Sequence, residues 1–384
     1  MRFNAPIRVF ALCLCILHLC SLCALAQTLG PASSYDELLT LAGEARDGDV
    51  LLVRGELNAV DGAPLVTQGM ILIRSADGER AAIHSLRLHD ASVDFADIDL
   101  LDSLSVEGTS NVYLSSGVTV CGADGQAGLS FSGNGSLLLE RGSAVTGGSG
   151  SAGVSVSHDG GDFYSDIAGT VRGGDGSVGG AGVEISPLSA SGALMISGTI
   201  SGGNGSDIGG NALNLYGLSG NAFVTVDGSI IGGSGHIGGN GMELISASGN
   251  AVVGVDGHID GGQGEEFGGK ALMLMNVEGS ASVSLSGQLK GGDAVGQGAQ
   301  PGTSLLMIGE KTASHTRVVG CQFEDGKQLA AEQASEAPHD PEQYAPESEP
   351  DVQQDAPAPG VQDEPADMDG ESGDPGAPDA IPAD

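Results

Sequence analysis

The stretch from Gly173 to Lys290 consists of four copies of one unit, and the first two copies read GGDGSVGGAGVEISPLSASGALMISGTIS (173–201) and GGNGSDIGGNALNLYGLSGNAFVTVDGSII (202–231). Each copy begins with a glycine pair, and successive pairs lie 29, 30, 29 and 30 residues apart. A second glycine pair follows after six or seven residues, and the other 23 residues never change in number. A one-residue slip inside a strand would turn its apolar face to water, so the extra residue is predicted to lie in an outside loop.

Apolar residues occupy equivalent places in every copy and alternate with period two, which is the pattern of a β-strand. One such copy cannot bury its apolar side alone, but stacked copies form a continuous aliphatic core. We therefore predict two firm strands and a shorter third strand in each turn of a β-solenoid. The predicted ladders are Val183/Ile185, Leu213/Leu215, Met242/Leu244 and Leu272/Leu274; then Leu194/Ile196, Val224/Val226, Val253/Val255 and Val283/Leu285; and finally Ile200, Ile230, Ile259 and Leu289.

The N-terminal part predicts a short helix followed by strands. Ser34 is a suitable N-cap with Glu37 at the third helical position, and apolar residues recur at helical spacing from Tyr35 until Gly48 ends the helix. Such an amphipathic helix would cover the open end of the stack. β-rich runs follow it at Val50–Val53, Met70–Ile73, Ala82–Leu88, Val93–Leu101 and Asn111–Val120.

The two ends of the chain differ from this body. Residues 1–26 combine Arg2 and Arg8 with an apolar run that ends in an A-x-A site, which is typical of a secretory signal peptide. Residues 328–384 hold sixteen acidic residues, no Lys or Arg and ten of the fifteen prolines, which predicts a disordered tail. The solenoid domain is predicted to span residues 27–327.

Charge and composition limit the classes of function. The body carries thirty-four acidic residues against twelve basic ones, which argues against nucleic-acid binding because that needs cations along a groove. Aromatic residues make up 3% of the chain, so sugar binding on aromatic platforms has little to use. We expect no membrane contact once the signal peptide is removed.

The body from about Tyr35 to Phe323 resembles right-handed parallel β-helix proteins of the pectin-lyase-like group. The predicted helix followed by Asp47–Val53 resembles the capped first coil of that group. This resemblance implies an all-β, right-handed parallel β-helix with an N-terminal capping helix. The group includes polysaccharide lyases, glycoside hydrolases and non-catalytic surface adhesins, so the resemblance is specific for fold rather than for activity.

Candidate site residues occur in two places. If the protein is an enzyme, the early coils offer Arg74, Arg87, Asp94 and Asp97, although these residues also suit an outward solenoid face. Asp227 and Asp256 lie one coil apart before a corner glycine, and their like charges make them candidates for binding calcium. Solvent screening is the plainer explanation of that pair, so no cofactor is expected.

These observations favour a secreted or cell-surface solenoid scaffold without catalytic activity, which works in adhesion or in binding an extracellular protein or glycan. The alternative is a polysaccharide lyase or glycoside hydrolase with its site on the early coils.

Overall fold

The computed structural model describes residues 26–59, 62–76, 78–158, 160–189 and 191–329. The predicted signal peptide, apart from Ala26, and the predicted tail from residue 330 onward lie outside the described residues. Strands make up 51% of the structure and helices 5%, and the chain winds into a parallel β-solenoid of about nine turns. The all-β solenoid and its N-terminal helix are therefore confirmed. The last strand includes Gln328 and Leu329, so the solenoid extends two residues past the predicted boundary.

The elements are numbered here in chain order. The first part contains β1 (Thr28–Ala32), α1 (Tyr35–Glu44), β2 (Val50–Val53), β3 (Glu56–Asn58), β4 (Met70–Ser75), β5 (Ala81–His89), β6 (Ser92–Ala96), β7 (Ile98–Leu114), β8 (Thr119–Cys121), β9 (Leu129–Leu139), β10 (Ala144–Thr146), β11 (Val154–Ser157), β12 (Phe163–Ile167) and β13 (Thr170–Arg172). The regular repeats contain β14 (Gly176–Val178), β15 (Val183–Ile185), β16 (Ala193–Ile196), β17 (Thr199–Ser201), β18 (Gly205–Ile208), β19 (Leu213–Leu215), β20 (Phe223–Val226), β21 (Ser229–Ile231), β22 (Gly235–Ile237), β23 (Met242–Leu244), β24 (Val252–Val255), β25 (His258–Asp260), β26 (Gly264–Phe267), β27 (Leu272–Met275), β28 (Ser282–Leu285) and β29 (Gln288–Lys290). The last part contains β30 (Ala294–Val295), β31 (Leu305–Ile308), a 3-10 turn (Thr312–His315), β32 (Thr316–Val318), β33 (Gln322–Glu324) and β34 (Gln328–Leu329).

Strands stack in parallel on three faces of the solenoid. Face 1 contains β2, β4, β6, β12, β16, β20, β24, β28 and β32; face 2 contains β3, β8, β10, β13, β17, β21, β25, β29 and β33; and face 3 contains β11, β15, β19, β23, β27 and β31. The longer strands β5, β7 and β9 bend around corners and join these faces into one sheet of 28 strands. The predicted ladders are confirmed in register, as Leu194 pairs with Val224 and Val224 with Val253.

The core is the aliphatic column inside these faces, and α1 covers its N-terminal end. Leu38 and Ala42 are 0% and 1% exposed, and the Tyr35 hydroxyl donates to the Ala63 carbonyl at 2.8 Å. Ser34 caps the helix by accepting from the Glu37 N–H at 3.3 Å, as predicted. The helix ends at Glu44, before the predicted Gly48, and Ala45 adopts extended backbone there.

Backbone contact between coils explains the glycine pairs. A Cβ atom added to Gly203, Gly233 or Gly262 would overlap the carbonyl oxygen of the equivalent glycine one coil earlier. The N–H of Gly233 donates to the Gly210 carbonyl of the previous coil at 2.8 Å, and Gly262 N–H donates to Gly239 at 2.7 Å. These glycines are required because backbones approach closely, and none of them has a positive φ.

Between its two glycine pairs, each repeat makes an outward excursion that the sequence predicted only as a loop. The Gly210 N–H donates to the Gly203 carbonyl at 2.8 Å and closes the base of one excursion. Its tip forms a short strand, and six such strands stack into a separate sheet, here called the outer sheet (β14, β18, β22, β26, β30 and β34). Register shifts occur where a three-residue strand pairs with a four-residue one. The extra residue of the longer repeats is thus accommodated outside the core, as predicted.

We predict that Gly233→Ala lowers the free energy of unfolding by about 1–3 kcal/mol or more, because its methyl group would overlap the Gly203 carbonyl. Gly254→Ala is the matched control on face 1. There the nearest atom to the new Cβ is Thr225 Cγ2 at 3.8 Å, an ordinary contact. Urea denaturation of both variants measures the difference, and equal stability of the two would contradict the close-contact explanation.

Candidate functional site

The four predicted catalytic candidates do not form one site. Arg74 and Asp94 lie on neighbouring strands of face 1 and both point outward. Arg87 points outward from face 3, where its Nη2 atom is 4.0 Å from Glu107 Oε1. Asp97 lies at the corner after β6 with φ +50°, and its carbonyl accepts a hydrogen bond from the Ser75 hydroxyl. The structure therefore brings Arg74 and Asp94 to one face and leaves Arg87 on another.

Asp94 is the candidate with the most unusual environment. Its carboxylate is half-buried among the outward side chains of face 1 and accepts a hydrogen bond from Ser115 Oγ at 3.0 Å. Burial raises the pKa of Asp94 to about 6, the Ser115 hydrogen bond opposes that rise, and the charge of Glu140 adds to it. Asp166, three coils further along the same outward column, also has a pKa raised by burial. Ionised Asp94 is therefore less stable in the folded protein than in water.

We predict that Asp94→Asn stabilises the protein at pH 7.5 and not at pH 4. The folded pKa of Asp94 lies above the unfolded value, so the wild type loses stability as pH rises from about 4 to about 6. One pKa unit corresponds to about 1.4 kcal/mol, and partial solvent access reduces the expected gain to the order of 1–2 kcal/mol. Thermal melts of both proteins at the two pH values measure this. A stability difference that is the same at both would contradict the burial explanation.

The two calcium candidates lie at the corner between face 1 and face 2. The N–H groups of Asp227 and Asp256 donate to Ile196 and Val226 carbonyls in successive coils, so the two carboxylates are one coil apart. Ser286 Oγ donates to Asp256 Oδ1 at 2.9 Å. Within the described part of the chain, no group of three or more His, Cys, Asp or Glu residues is placed to hold a metal ion. The expectation of no cofactor, with calcium at Asp227 and Asp256 as its alternative, therefore stays a prediction.

A groove runs along the solenoid between the outer sheet and face 3, and we call it the corner groove. Its volume is about 450 Å³. One side is an apolar ladder of Ile208, Ile237 and Phe267, which are the last residues of β18, β22 and β26 and pair in register across the outer sheet. These side chains are 42%, 38% and 36% exposed. The complete lining is Ile208, Gly209, Asn211, Ile237, Gly238, Gly239, Asn240, Phe267, Gly268, Gly269, Lys270, Gln300, Pro301, Gly302 and Thr303.

The opposite side of the corner groove is a polar ladder of Asn211, Asn240 and Lys270. The side-chain carbonyl of Asn211 accepts from the Asn240 N–H at 2.7 Å, and that of Asn240 accepts from the Lys270 N–H at 2.9 Å. Asn211 Nδ2 donates to Asn214 Oδ1 at 2.9 Å and to Glu243 Oε2 at 2.7 Å. These hydrogen bonds fix the side chains from coil to coil, so the groove has a defined shape.

Acidic side chains lie on the same outer-sheet strands as the apolar ladder, outside the lining of the groove. Asp207, Glu265 and Glu266 are exposed and lie one or two residues before the apolar ladder residue of their strand. His236 lies between them, with Nε2 at 2.9 Å from Glu266 Oε2 and Nδ1 at 3.4 Å from Glu265 Oε2. Hydrogen bonding to Glu265 and then to Glu266 raises the pKa of His236. The outer sheet therefore presents apolar side chains next to negative charge.

Among the described residues that line the corner groove, Lys270 is the only ionisable one. Sequence reasoning missed this site. The sequence does contain a signal for it in three successive copies. An apolar residue precedes the second glycine pair of each copy, and Asn or Lys follows that pair.

Comparisons with protein-family models, with curated proteins and with solved structures found no match for this chain. The fold and the geometry of its surfaces therefore carry the functional argument. Among the residues that the structure describes, no helix has the length and apolar character needed to cross a membrane.

Proposed function

We propose that this protein is an extracellular, non-catalytic β-solenoid scaffold that binds a cationic, partly apolar protein segment in the corner groove. The observation that carries the proposal is the pair of ladders, apolar on one side and polar on the other, which repeat in step with the coils. Equivalent side chains on successive coils lie about 4.8 Å apart. An extended chain lying along the solenoid axis can contact several coils at once.

The side chains of the groove favour a protein segment over a glycan. Phe267 is the single aromatic residue in the lining, whereas sugar-binding sites use aromatic faces. The Asn211 amide is already engaged by Asn214, Glu243 and the Asn240 N–H, so it is not free to bind sugar hydroxyls. Ile208, Ile237 and Phe267 can instead pack against apolar side chains of a partner.

The charge of the surroundings favours a cationic partner. Lys270 is a cation in the lining, but Asp207, Glu265 and Glu266 are exposed on the adjoining outer-sheet strands and outnumber it. The whole chain carries fifty acidic residues against fourteen basic ones. An anionic partner such as a uronate polymer would be repelled, and a basic segment would be attracted from a distance. Secretion through the predicted signal peptide would place this acidic surface outside the cell, consistent with a role in adhesion or partner capture.

We predict that a labelled peptide of alternating Lys and Leu binds the protein and that a peptide of alternating Glu and Leu does not. Ile237→Ser should weaken the complex with the Lys–Leu peptide at least about fivefold, because the substitution removes an apolar contact. The matched control is Val178→Ser on the same outer-sheet ladder. Val178 is 51% exposed and does not line the groove, so binding should change less than twofold.

Fluorescence anisotropy measures these affinities. The salt concentration should be about 0.15 M, because attraction of the peptide by distant charges is largely screened there. Equal effects of Ile237→Ser and Val178→Ser would mean that the peptide recognises the acidic surface in general. That result would contradict the corner groove as the binding site.

A second candidate function follows from the raised pKa of Asp94, since a carboxylic acid with a pKa near 6 suits general acid catalysis. In that case face 1 of the early coils would cleave a polysaccharide. Incubation of the purified protein with polygalacturonate and neutral glycans, with and without calcium, tests this alternative. Turnover that Asp94→Ala abolishes would overturn the proposed non-catalytic function.

A further inference from the structure

The two ends of the solenoid differ in how far their core is covered. At the N-terminal end, the first inward residues Leu51, Leu57 and Leu65 are at most 1% exposed, because β1 and α1 pack there. At the C-terminal end, the last inward residues of faces 3, 1 and 2 are Met307, Val318 and Phe323, and they are 40%, 47% and 45% exposed. The next residues inward in the same columns, Leu274, Leu285 and Leu289, are 0% exposed.

The C-terminal coil also ends the parallel sheet. Within the described residues, β31, β32 and β33 pair with β27, β28 and β29 and with no strand on their other side. Ile308 and Val319 add exposed apolar area beside them, at 41% and 47%. A row of free backbone groups next to apolar side chains is a template for pairing with another strand edge. We call this surface the open end.

Charge makes a second copy of the chain a suitable partner for the open end. Residues 303–329 contain three acidic residues (Glu310, Glu324 and Asp325) and three basic ones (Lys311, Arg317 and Lys327), although the protein as a whole is strongly acidic. The last coil therefore adds no net charge to a contact between two open ends. The repulsion that such a contact has to overcome comes from the acidic residues that follow Leu329.

The coverage of the N-terminal end decides the geometry of such a contact. Because β1 and α1 bury the inward residues Leu51, Leu57 and Leu65, a head-to-tail stack would not match the exposed core residues of the open end with an exposed core on the other copy. We propose that two copies associate through their open ends around a two-fold axis, so that the same surface of each copy meets the other. The edge strands then extend the sheet across the interface, and Met307, Val318 and Phe323 become buried.

The acidic segment after Leu329 controls how strongly this association occurs. Its sixteen acidic residues follow Leu329 in the sequence, within a few residues of the last coil, so two such segments repel at low ionic strength when two open ends meet. Salt screens that repulsion, since the Debye length falls from about 10 Å at 0.1 M to about 3 Å at 1 M. Salt also does not weaken apolar burial. The association should therefore strengthen as salt rises, unlike binding that depends on opposite charges.

Sedimentation velocity of the full chain over a range of concentrations, at about 0.1 M and about 1 M NaCl, tests the proposal. We expect the mass to rise toward that of two chains, with a dissociation constant at least fivefold lower in high salt. Val319→Asp should weaken the association at least tenfold, because it places a charge in the interface. Val318→Asp tests a second position of the open end, and thermal melts establish that both variants are folded.

Val178→Asp is the matched control, since it adds the same charge at an exposed valine on the flank of the solenoid. Its dissociation constant should stay within twofold of the wild type. A protein that remains a single chain at both salt concentrations would overturn the proposal. That result is expected if the acidic segment of the same chain, rather than a second copy, covers the open end. A dimer that Val178→Asp disrupts, or that folded Val319→Asp and Val318→Asp leave intact, would also overturn it.

Discussion

Close contact between glycine backbones of successive coils is the constraint on which the rest of this structure depends. Gly203, Gly233, Gly262 and Gly292 follow one another from coil to coil, and a Cβ atom at any of them would overlap the carbonyl of the glycine before it. This contact lets each coil leave face 2, make its outward excursion and return to face 3 without opening the gap between coils. The aliphatic ladders can then stack at strand spacing on all three faces, where burial of apolar area stabilises them.

The same constraint creates the corner groove. The glycines hold the bases of the excursions together, so their tips stack into the outer sheet and place Ile208, Ile237 and Phe267 in one row. The residue after each second glycine pair returns toward face 3, which places Asn211, Asn240 and Lys270 in a facing row. The proposed binding surface thus arises from residues that the core does not need. Its chemistry can change from one copy to the next without disturbing the fold.

Much of the fold could be predicted from the sequence because alternation and copy length are local properties. The predicted strand Val50–Val53 has the observed bounds, and the predicted ladder residues of every repeat are buried. The sequence analysis did not include a further buried column, formed by Leu188, Leu218, Ala247 and Val277. The predicted strand Val93–Leu101 is interrupted at Asp97, where a positive φ turns the chain from face 1 to face 2. Asp is one of the residues that adopt a positive φ, but Asp94 lies inside the strand, so the residue type alone does not show which Asp marks the corner.

The candidate site was harder to predict because it depends on contacts between residues about thirty positions apart. The outer sheet needs the tips of successive excursions to stack, and a glycine-rich loop sequence does not reveal that. Asp94 and Arg87 were grouped by their proximity in sequence, yet the solenoid winding places them on different faces. The half-burial that raises the pKa of Asp94 likewise depends on neighbours from other coils, among them Ser115 and Glu140.

Hydrogen exchange of the corner glycines tests the central constraint most directly. The N–H groups of Gly203, Gly233, Gly262 and Gly292 donate to carbonyls one coil away, at a corner of the solenoid rather than within a strand of the three faces. We predict that these four amides exchange as slowly as those inside the face 1 strands β20 and β24. Exchange as fast as at the surface turns around Gly217 would show that the coils are not held together there, and would contradict the account.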